Sequence, residues 1–443
     1  MKSQRDIVVI PIETTARELM PKLYLAIKLA ERGFTTYFGL KSMVHEIALR
    51  SGRAIFLDKG YHPGVSEAQY AKLREAGCLV VDLDEENGVD FKDFHMLGVR
   101  MPDQLFGIVD HVLVWGRAQY EHLKAERPSF DPQRVSVTGH PRFDLLKPAF
   151  RGLYAEKVEQ LKSRYGPFIL LNTNTKYGNN INGRDFIIEH YGSRVKGLAE
   201  RLVYDDRRLE SNISLARRLA AETPFNVVLR PHPEEDIGVY REVFAEEPKV
   251  SPIYDDTPVY WLLAAELVIH NHSTTGLEAA LLGKTPISFS PQAVDAGFIP
   301  WIPVACSLQM RSEEEVLALV GRDRDSWPSA PDVSDILEDF FTLSQPAAEA
   351  VVETLQRLAE AHPPAAPERR LAGYLAKLRL SGAWQALKGG AKMSALAKNK
   401  LRDLQPDIVA ARFADLLAQA PAEPPVHLDQ LHPLLYRVRP GQA

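Results

Sequence analysis

Cysteine is scarce in this 443-residue chain. Its two cysteines, Cys78 and Cys306, lie far apart and in no Cys-x-x-Cys pattern, which excludes a disulfide scaffold and a cysteine zinc site. Long apolar runs are missing too. Ile7 to Ile12 is among the longest, far below the roughly 20 residues that span a bilayer. Met1 to Asp6 leads directly into a strand-like run without an apolar h-region or small-residue cleavage site, so a cytoplasmic location is expected. Strong net charge is absent: 53 Lys and Arg face 58 Asp and Glu, a balance of −5. A dedicated nucleic-acid binder would usually be basic. There is no Gly-x-x-x-x-Gly-Lys-Ser/Thr loop, no Gly-x-Ser-x-Gly elbow, and no Gly-x-Gly-x-x-Gly after the first strand. These absences disfavour NTP hydrolysis, an esterase-type nucleophile and a nicotinamide site.

What is present is a globular composition, 45% apolar and 25% charged, with a length that suits two domains and an accessory piece. Short β-branched runs alternate with helical spacing. Ile7-Val8-Val9-Ile10, then a helix over about 17–32 closed by Gly33, then Thr35-Thr36-Tyr37-Phe38 make a first βαβ unit. Further strands are expected at 54–57, 78–81, 111–114 and 135–137. A second series is expected at 168–171, 226–229, 250–253, 267–269 and 286–288. Such alternation predicts parallel sheets covered on both faces. The expected domains are 1–145 and 146–361, a Pro-rich linker over 362–368, and a basic helical extension over 369–443. Residues 369–402 hold nine Lys or Arg and no Asp or Glu, so the −5 separates into +9 there and −14 elsewhere.

Leu229-Arg230-Pro231-His232-Pro233-Glu234 follows a buried strand, at the strand end where open α/β sheets bind ligands. Two prolines restrict the backbone around His232 and set the direction of its ring. Arg230 offers a planar donor fork suited to phosphate, and His232 can donate to a phosphate oxygen or protonate a leaving one. The alternative is a rigid turn with a surface histidine. A second strand exit, His270-Asn271-His272-Ser273-Thr274-Thr275-Gly276-Leu277-Glu278, runs from small hydroxyl residues into a helix, a setting that attracts phosphate. Glu278 lies one turn in, placed for a ribose hydroxyl, although a capping box explains these residues singly. Asn172 and Asn174 stand in a third polar exit of the same half. His270 and His272 are spaced i, i+2, so no metal site is expected.

In the first half, Glu13 and Arg17 stand i, i+4 after the first strand and can pair. Asp82-Leu83-Asp84-Glu85-Glu86 follows a later strand, where a carboxylate can act as base or nucleophile, or form part of a solvated acidic loop. Lys41, Lys59 and Arg100 carry no motif that lifts them above surface charge.

Arg230-Pro231-His232-Pro233 together with His272-Ser273-Thr274-Thr275 and Glu278-Ala279 resembles the His-Pro and Ser-Ser/Thr pair of bacterial surface-polysaccharide enzymes. These include the CMP-sugar-dependent sialyl- and Kdo-transferases and the CDP-glycerol glycerophosphotransferases of teichoic acid synthesis. With Pro11-Ile12-Glu13, Arg17-Glu18, Trp115-Gly116 and Thr138-Gly139-His140-Pro141-Arg142-Phe143-Asp144, the chain to about residue 361 is similar to surface carbohydrate biosynthesis proteins. The resemblance implies a GT-B-like α/β fold, two Rossmann-like domains facing a cleft plus a C-terminal helical extension. It implies that His232 and Ser273 to Thr275 hold the phosphate of a nucleotide-sugar donor, with Glu278 on the ribose or base; from their strand-exit positions, Arg230, Asn172, Asn174 and His272 are expected to bind the donor beside them. It also implies a catalytic carboxylate among Glu85, Glu86 and Glu13, with Asp205 and Asp206 as further options, beside His232. The expected activity is metal- and cofactor-independent glycosyl transfer from a CMP-linked ulosonic acid such as CMP-Kdo to a lipid-linked glycan. Polyol-phosphate transfer from CDP-glycerol and an inactive glycan- or partner-binding scaffold are the alternatives. The cations of 369–402, with Leu371, Leu375, Leu378, Trp384 and Leu387, suit peripheral docking on an anionic inner-membrane surface. Packing on the acidic body is the other reading of that stretch.

Overall fold

Runs that are apolar on both faces become strands buried on both faces. This describes β1 (Ile7–Ile12), β3 (Ile55–Asp58), β4 (Leu79–Leu83) and β5 (His111–Val114), which are buried at every residue. With β2 (Thr35–Leu40) and β6 (Val135–Val137) they form a parallel sheet in the order β2-β1-β3-β4-β5-β6. The structure, a computed structural model, describes residues 5–86, 90–192, 197–293, 299–364, 371–387 and 400–441.

A second parallel sheet contains β7 (Phe168–Asn172), β8 (Asn226–Arg230), β9 (Val250–Pro252), β10 (Leu267–His270), β11 (Pro286–Phe289) and β12 (Leu308–Met310). Its order is β12-β11-β10-β7-β8-β9. The helix Leu198–Glu222 lays Leu215, Ala216 and Leu219 on Ile169, Val227 and Leu229 in its core. Both sheets are doubly wound. The winding reverses between β1 and β3 in one and between β7 and β10 in the other, and ligands bind at the carboxyl ends beside such reversals.

The chain divides into two units, one gathering Met1–Asn87, Met96–Leu153 and Ser334–Ala443, the other Gly88–His95 and Tyr154–Val333. The helices Ser334–Phe341 and Ala347–Ala361, expected to close the second domain, therefore belong to the first. Asp144 explains the return. Its buried carboxylate accepts from the N–H groups of Ala347 and Ala348 at 3.0 and 2.8 Å, capping the second of these helices. The Phe341 ring packs tilted against Phe143, with centroids 5.1 Å apart, and Arg117 pairs with Asp339 at 2.9 Å.

The region after 369 carries the expected helices, Leu371–Leu387 and Pro406–Gln419, and also a hairpin that the sequence reading misses. β13 (Val426–His432) pairs antiparallel with β14 (Leu435–Pro440), and β14 pairs antiparallel with β2, extending the first sheet to eight strands. β14 alternates buried Tyr436 and Val438 with Arg437 and Arg439, which Asp429 neutralises from the paired strand at 2.6 and 2.9 Å. Residues 365–368 of the linker, Arg369, Arg370, Lys388, Lys392, Lys398, and the side chains of Trp384 and Leu387 lie outside the described residues.

Gly39 permits the join. Its φ is +148°, and a Cβ there would stand 2.2 Å from the Leu434 carbonyl oxygen. Gly33 has φ +90° but nothing within 4 Å. Gly33→Ala is expected to cost only backbone strain, about 1–2 kcal/mol. Gly39→Ala should lower the urea midpoint further, because it also drives β14 from β2. Equal midpoints would show that this contact does not hold the hairpin.

Candidate functional site

In the second unit the polar exits converge where the winding reverses. Asn172 ends β7 and His270 ends β10, and the two are register partners. Arg230 ends β8, opposite Asn172 on its other side. Asn172 is buried and its Nδ2 has no hydrogen-bond partner among the described residues. Asn174 is half-buried just beyond it.

Arg230 spends one arm of its donor fork within the unit. Its guanidinium Nη2 donates to the carbonyls of Asp255 and Asp256 at 2.9 and 3.0 Å, with the Trp261 ring 5.7 Å away. It pins the loop after β9.

His232 is half-buried, and its ring is set by a simple constraint. Pro233 has no N–H, so the N–H of Glu234 turns back and donates to His232 Nδ1 at 3.2 Å. An accepting Nδ1 places the proton of the neutral ring on Nε2. The same turn recurs, again at 3.2 Å, at His140-Pro141-Arg142 and His432-Pro433-Leu434.

His270, fully buried, is locked in the same tautomer. Its Nδ1 accepts from the Ser273 N–H at 3.2 Å. Its Nε2 lies 2.8 Å from Ser307 Oγ, which donates on to the Pro303 carbonyl at 2.6 Å. Burial pushes its pKa down to about 3. Gly276 lets the helix Thr274–Leu281 sit against this ring, since a Cβ would stand 2.3 Å from His270 Nε2. His272 takes a left-handed backbone, φ +53°, and makes no side-chain hydrogen bond among the described residues. Burial, then Arg208, His270 and Arg201, lower its pKa to about 3. Ser273 caps the helix, its Oγ accepting from the Thr275 N–H at 3.3 Å. Thr274 and Glu278 are half-buried on the first two turns, and Thr275 Oγ1 is buried without a hydrogen-bond partner among the described residues.

Two residues that the sequence reading passes over complete this region. Glu235 accepts from groups of both the β7 and β8 exits. Arg208 joins Asp205 at 2.9 Å to the Asn271 carbonyl at 3.1 Å. Asp205 also accepts from the Tyr177 N–H, and Asp206 pairs with Arg184 at 2.9 Å, so both are held in ion pairs.

The first unit holds a dense ionic cluster at its own strand ends. Arg17 pairs with Glu86 at 3.0 Å, and Glu13 with Lys59 at 2.9 Å, in place of the expected Glu13–Arg17 pair. Lys59 and Lys22 converge on buried Glu18 at 3.0 and 2.8 Å, while Lys41 reaches Asp58 and Arg100 reaches Asp84 and Glu86. These cations are therefore structural. Glu85 is buried between Lys22, at 3.1 Å, and His140 Nε2, at 3.3 Å. Burial raises its pKa, but Lys22 and His140 outweigh that and hold it well below the carboxylate range. An enclosed, paired carboxylate is a poor acceptor base, which corrects the role expected of Glu85. Glu86 and Glu13 keep substantial exposure, 48% and 38% of the side chain. Partial burial opposes but Arg100 and Arg17 prevail, holding Glu86 at about 2. Asp82-Leu83-Asp84 has metal-like spacing, yet among the described residues no three His, Cys, Asp or Glu are arranged to hold a metal.

No protein-family model matches the chain, and no curated protein matches it in sequence. Among solved structures it is similar to the wall teichoic acid polymerase TagF. For a His-to-Asn variant soaked with CDPG for 30 minutes, the TM-score is 0.50 at 9% identity, covering 81% of this chain and 90% of that one. For the 15-minute soak it is 0.50 at 11% identity, covering 81% and 89%. A co-structure of S. aureus MnaA with UDP gives 0.49 at 13% identity, covering 80% and 96%. The TagF likeness shows the shared fold: this chain has the GT-B-like architecture of two Rossmann-like domains.

The buried histidines make stability depend on pH. His270 and His272 sit near 3 and His111 near 4 when folded, against about 6.5 unfolded. Below pH 6.5 the unfolded chain binds more protons, so stability is full above that pH and falls as pH drops toward the folded values. The slope is at most about 1.4 kcal/mol per pH unit for each histidine. Urea unfolding at pH 7.5, 6 and 5 should show this decline. His270→Gln should be less stable at pH 7.5 but with a shallower decline, and an unchanged slope would contradict the assignment.

Proposed function

We propose that this chain is a transferase of bacterial surface-glycan assembly that binds a nucleotide-activated donor at the strand ends of the second unit. The observation that carries this reading is the convergence of Asn172, His232, His272 and the Ser273-capped helix beside the winding reversal. A ring whose Nε2 carries the proton is a donor to a phosphate oxygen, and the positive end of a helix dipole beside it favours an anion.

Two donors fit. A CDP-linked polyol is favoured by the fold shared with TagF, the neighbour soaked with CDPG. An acceptor hydroxyl would then lose its proton to a base and bond to the distal phosphorus, and CMP would leave with the bridging oxygen. A CMP-linked ulosonic acid such as CMP-Kdo is favoured by the motif resemblance, with CMP leaving from the anomeric carbon. His232 would steady or protonate the departing phosphate in either case. Of the carboxylates expected to act as base, Glu13 is partly exposed beside Lys59 and would serve a lipid-linked acceptor, whereas Glu86, held by Arg17 and Arg100, is as weak a base as Glu85.

Melting curves with CMP, CDP and UDP, then turnover of CDP-glycerol and CMP-Kdo, test this. Stabilisation by a cytidine nucleotide is expected, and His232→Ala should lower kcat/KM about 10²–10⁴-fold. Absence of stabilisation by all three nucleotides would overturn the transferase reading in favour of a binding scaffold. Stabilisation by UDP alone would remove both cytidine donors.

Peripheral attachment to an anionic membrane is part of the proposal. In the helix Leu371–Leu387, Leu371 and Leu378 are buried, while Lys377, Arg379 and Leu380 face outward. Among the described residues no helix is long and apolar enough to cross a membrane. Because β13 and β14 form one edge of the first sheet, deleting 369–443 would strip two strands and bare β2, so charge reversal is the cleaner test. Lys377→Glu with Arg379→Glu should reduce co-sedimentation with anionic vesicles but not alter folding, and unchanged sedimentation would sink the idea.

A further inference from the structure

Glu235 makes contacts of a kind that no part of this donor reading yet uses. It is 3% exposed. Its Oε1 accepts from the His232 N–H at 2.9 Å, the Thr175 N–H at 3.0 Å and Thr173 Oγ1 at 3.0 Å. Its Oε2 accepts from Thr175 Oγ1 at 2.6 Å, Tyr240 OH at 2.7 Å and Thr173 Oγ1 at 3.0 Å. Both oxygens are thus filled by donors. These bonds tie together two loops that leave different strands. Backbone bonds run alongside, from the Ile181 N–H to the Glu234 carbonyl and from the Asp236 N–H to the Asn179 carbonyl, both at 2.9 Å. Thr173 lies between Asn172 and Asn174, so the carboxylate fixes the β7 exit and the His232 turn in one register.

We propose that Glu235 is the positioning residue of the donor site: it grips the His232 backbone and the Thr173–Thr175 loop so that the His232 ring and the two asparagines address the same phosphate. This rests on the reading of the second unit as a nucleotide site. It also separates two substitutions of similar size. In Glu235→Gln the amide oxygen can still accept from the two fixed N–H groups, while the amide nitrogen faces hydroxyls that can rotate to accept. The grip on His232 survives. In Glu235→Ala it is lost.

The test is a double-mutant cycle on nucleotide affinity, measured by calorimetry with CMP, CDP and UDP. Glu235→Gln should bind within about threefold of the wild type, and Glu235→Ala at least tenfold more weakly. In a His232→Ala background, Glu235→Ala should cost clearly less than it does in the wild type, because the part of its effect that acts through that ring is already gone and only the hold on the Thr173–Thr175 loop remains. Should Glu235→Ala fail to fold, Glu235→Asp, one methylene too short to reach both loops, goes through the same cycle. Wild-type affinity in the Ala or Asp variant, or losses that simply multiply in the double variant, would overturn the proposal while leaving the nucleotide site standing. A wild type that binds none of the three nucleotides would overturn the site, and this proposal with it.

Discussion

A carboxylate removed from water must be met by several donors, or it costs several kcal/mol and stays protonated. The fold turns on how that demand is met. Asp144 meets it with the N–H groups that open a returning helix. Glu18 draws in Lys22 and Lys59 and accepts from the Glu13 N–H at 3.1 Å. Asp205 takes Arg208 and an amide of the β7 exit. Each buried charge thereby fixes a loop that apolar packing alone would leave free to shift.

Histidine answers a different demand. At both His140 and His232 a following proline removes one backbone donor, and the next amide orders the ring. The environments then diverge. His140 is enclosed with Glu85 3.3 Å away and Trp115 4.9 Å away, ring to ring. His232 sits half-buried at an exit beside the winding reversal. One local device thus serves as a structural brace in one unit and as a candidate phosphate donor in the other.

The parallel strands other than β12 were legible because burial on both faces writes itself as unbroken runs such as Phe168 to Leu171, whereas β12, partly exposed at the sheet edge, has no such run. The His232 and Ser273 turns were legible because proline and hydroxyl residues act locally. Three further things were not. The β13–β14 hairpin pairs with β2 nearly 400 residues earlier in the chain, a pairing that no local pattern announces. The ion pairs of Lys41, Lys59 and Arg100 join residues from different strand ends, so no spacing announces them. Glu235 looks like one more acidic residue after Pro233, and only the folded register brings Thr173, Thr175 and Tyr240 to it.

The hairpin also bears on the order in which the chain can assemble. The second unit is nearly continuous, from Tyr154 to Val333, and its sheet needs nothing made later. The first sheet is interrupted by that insertion, and β2 has no partner on its outer edge until residues 435–438 have been synthesised. During translation, Thr36 to Gly39 therefore wait with open backbone groups while an entire domain is made and folded. An unpaired edge of this kind is a site for mispairing with other chains. The last strand made is the one that closes it.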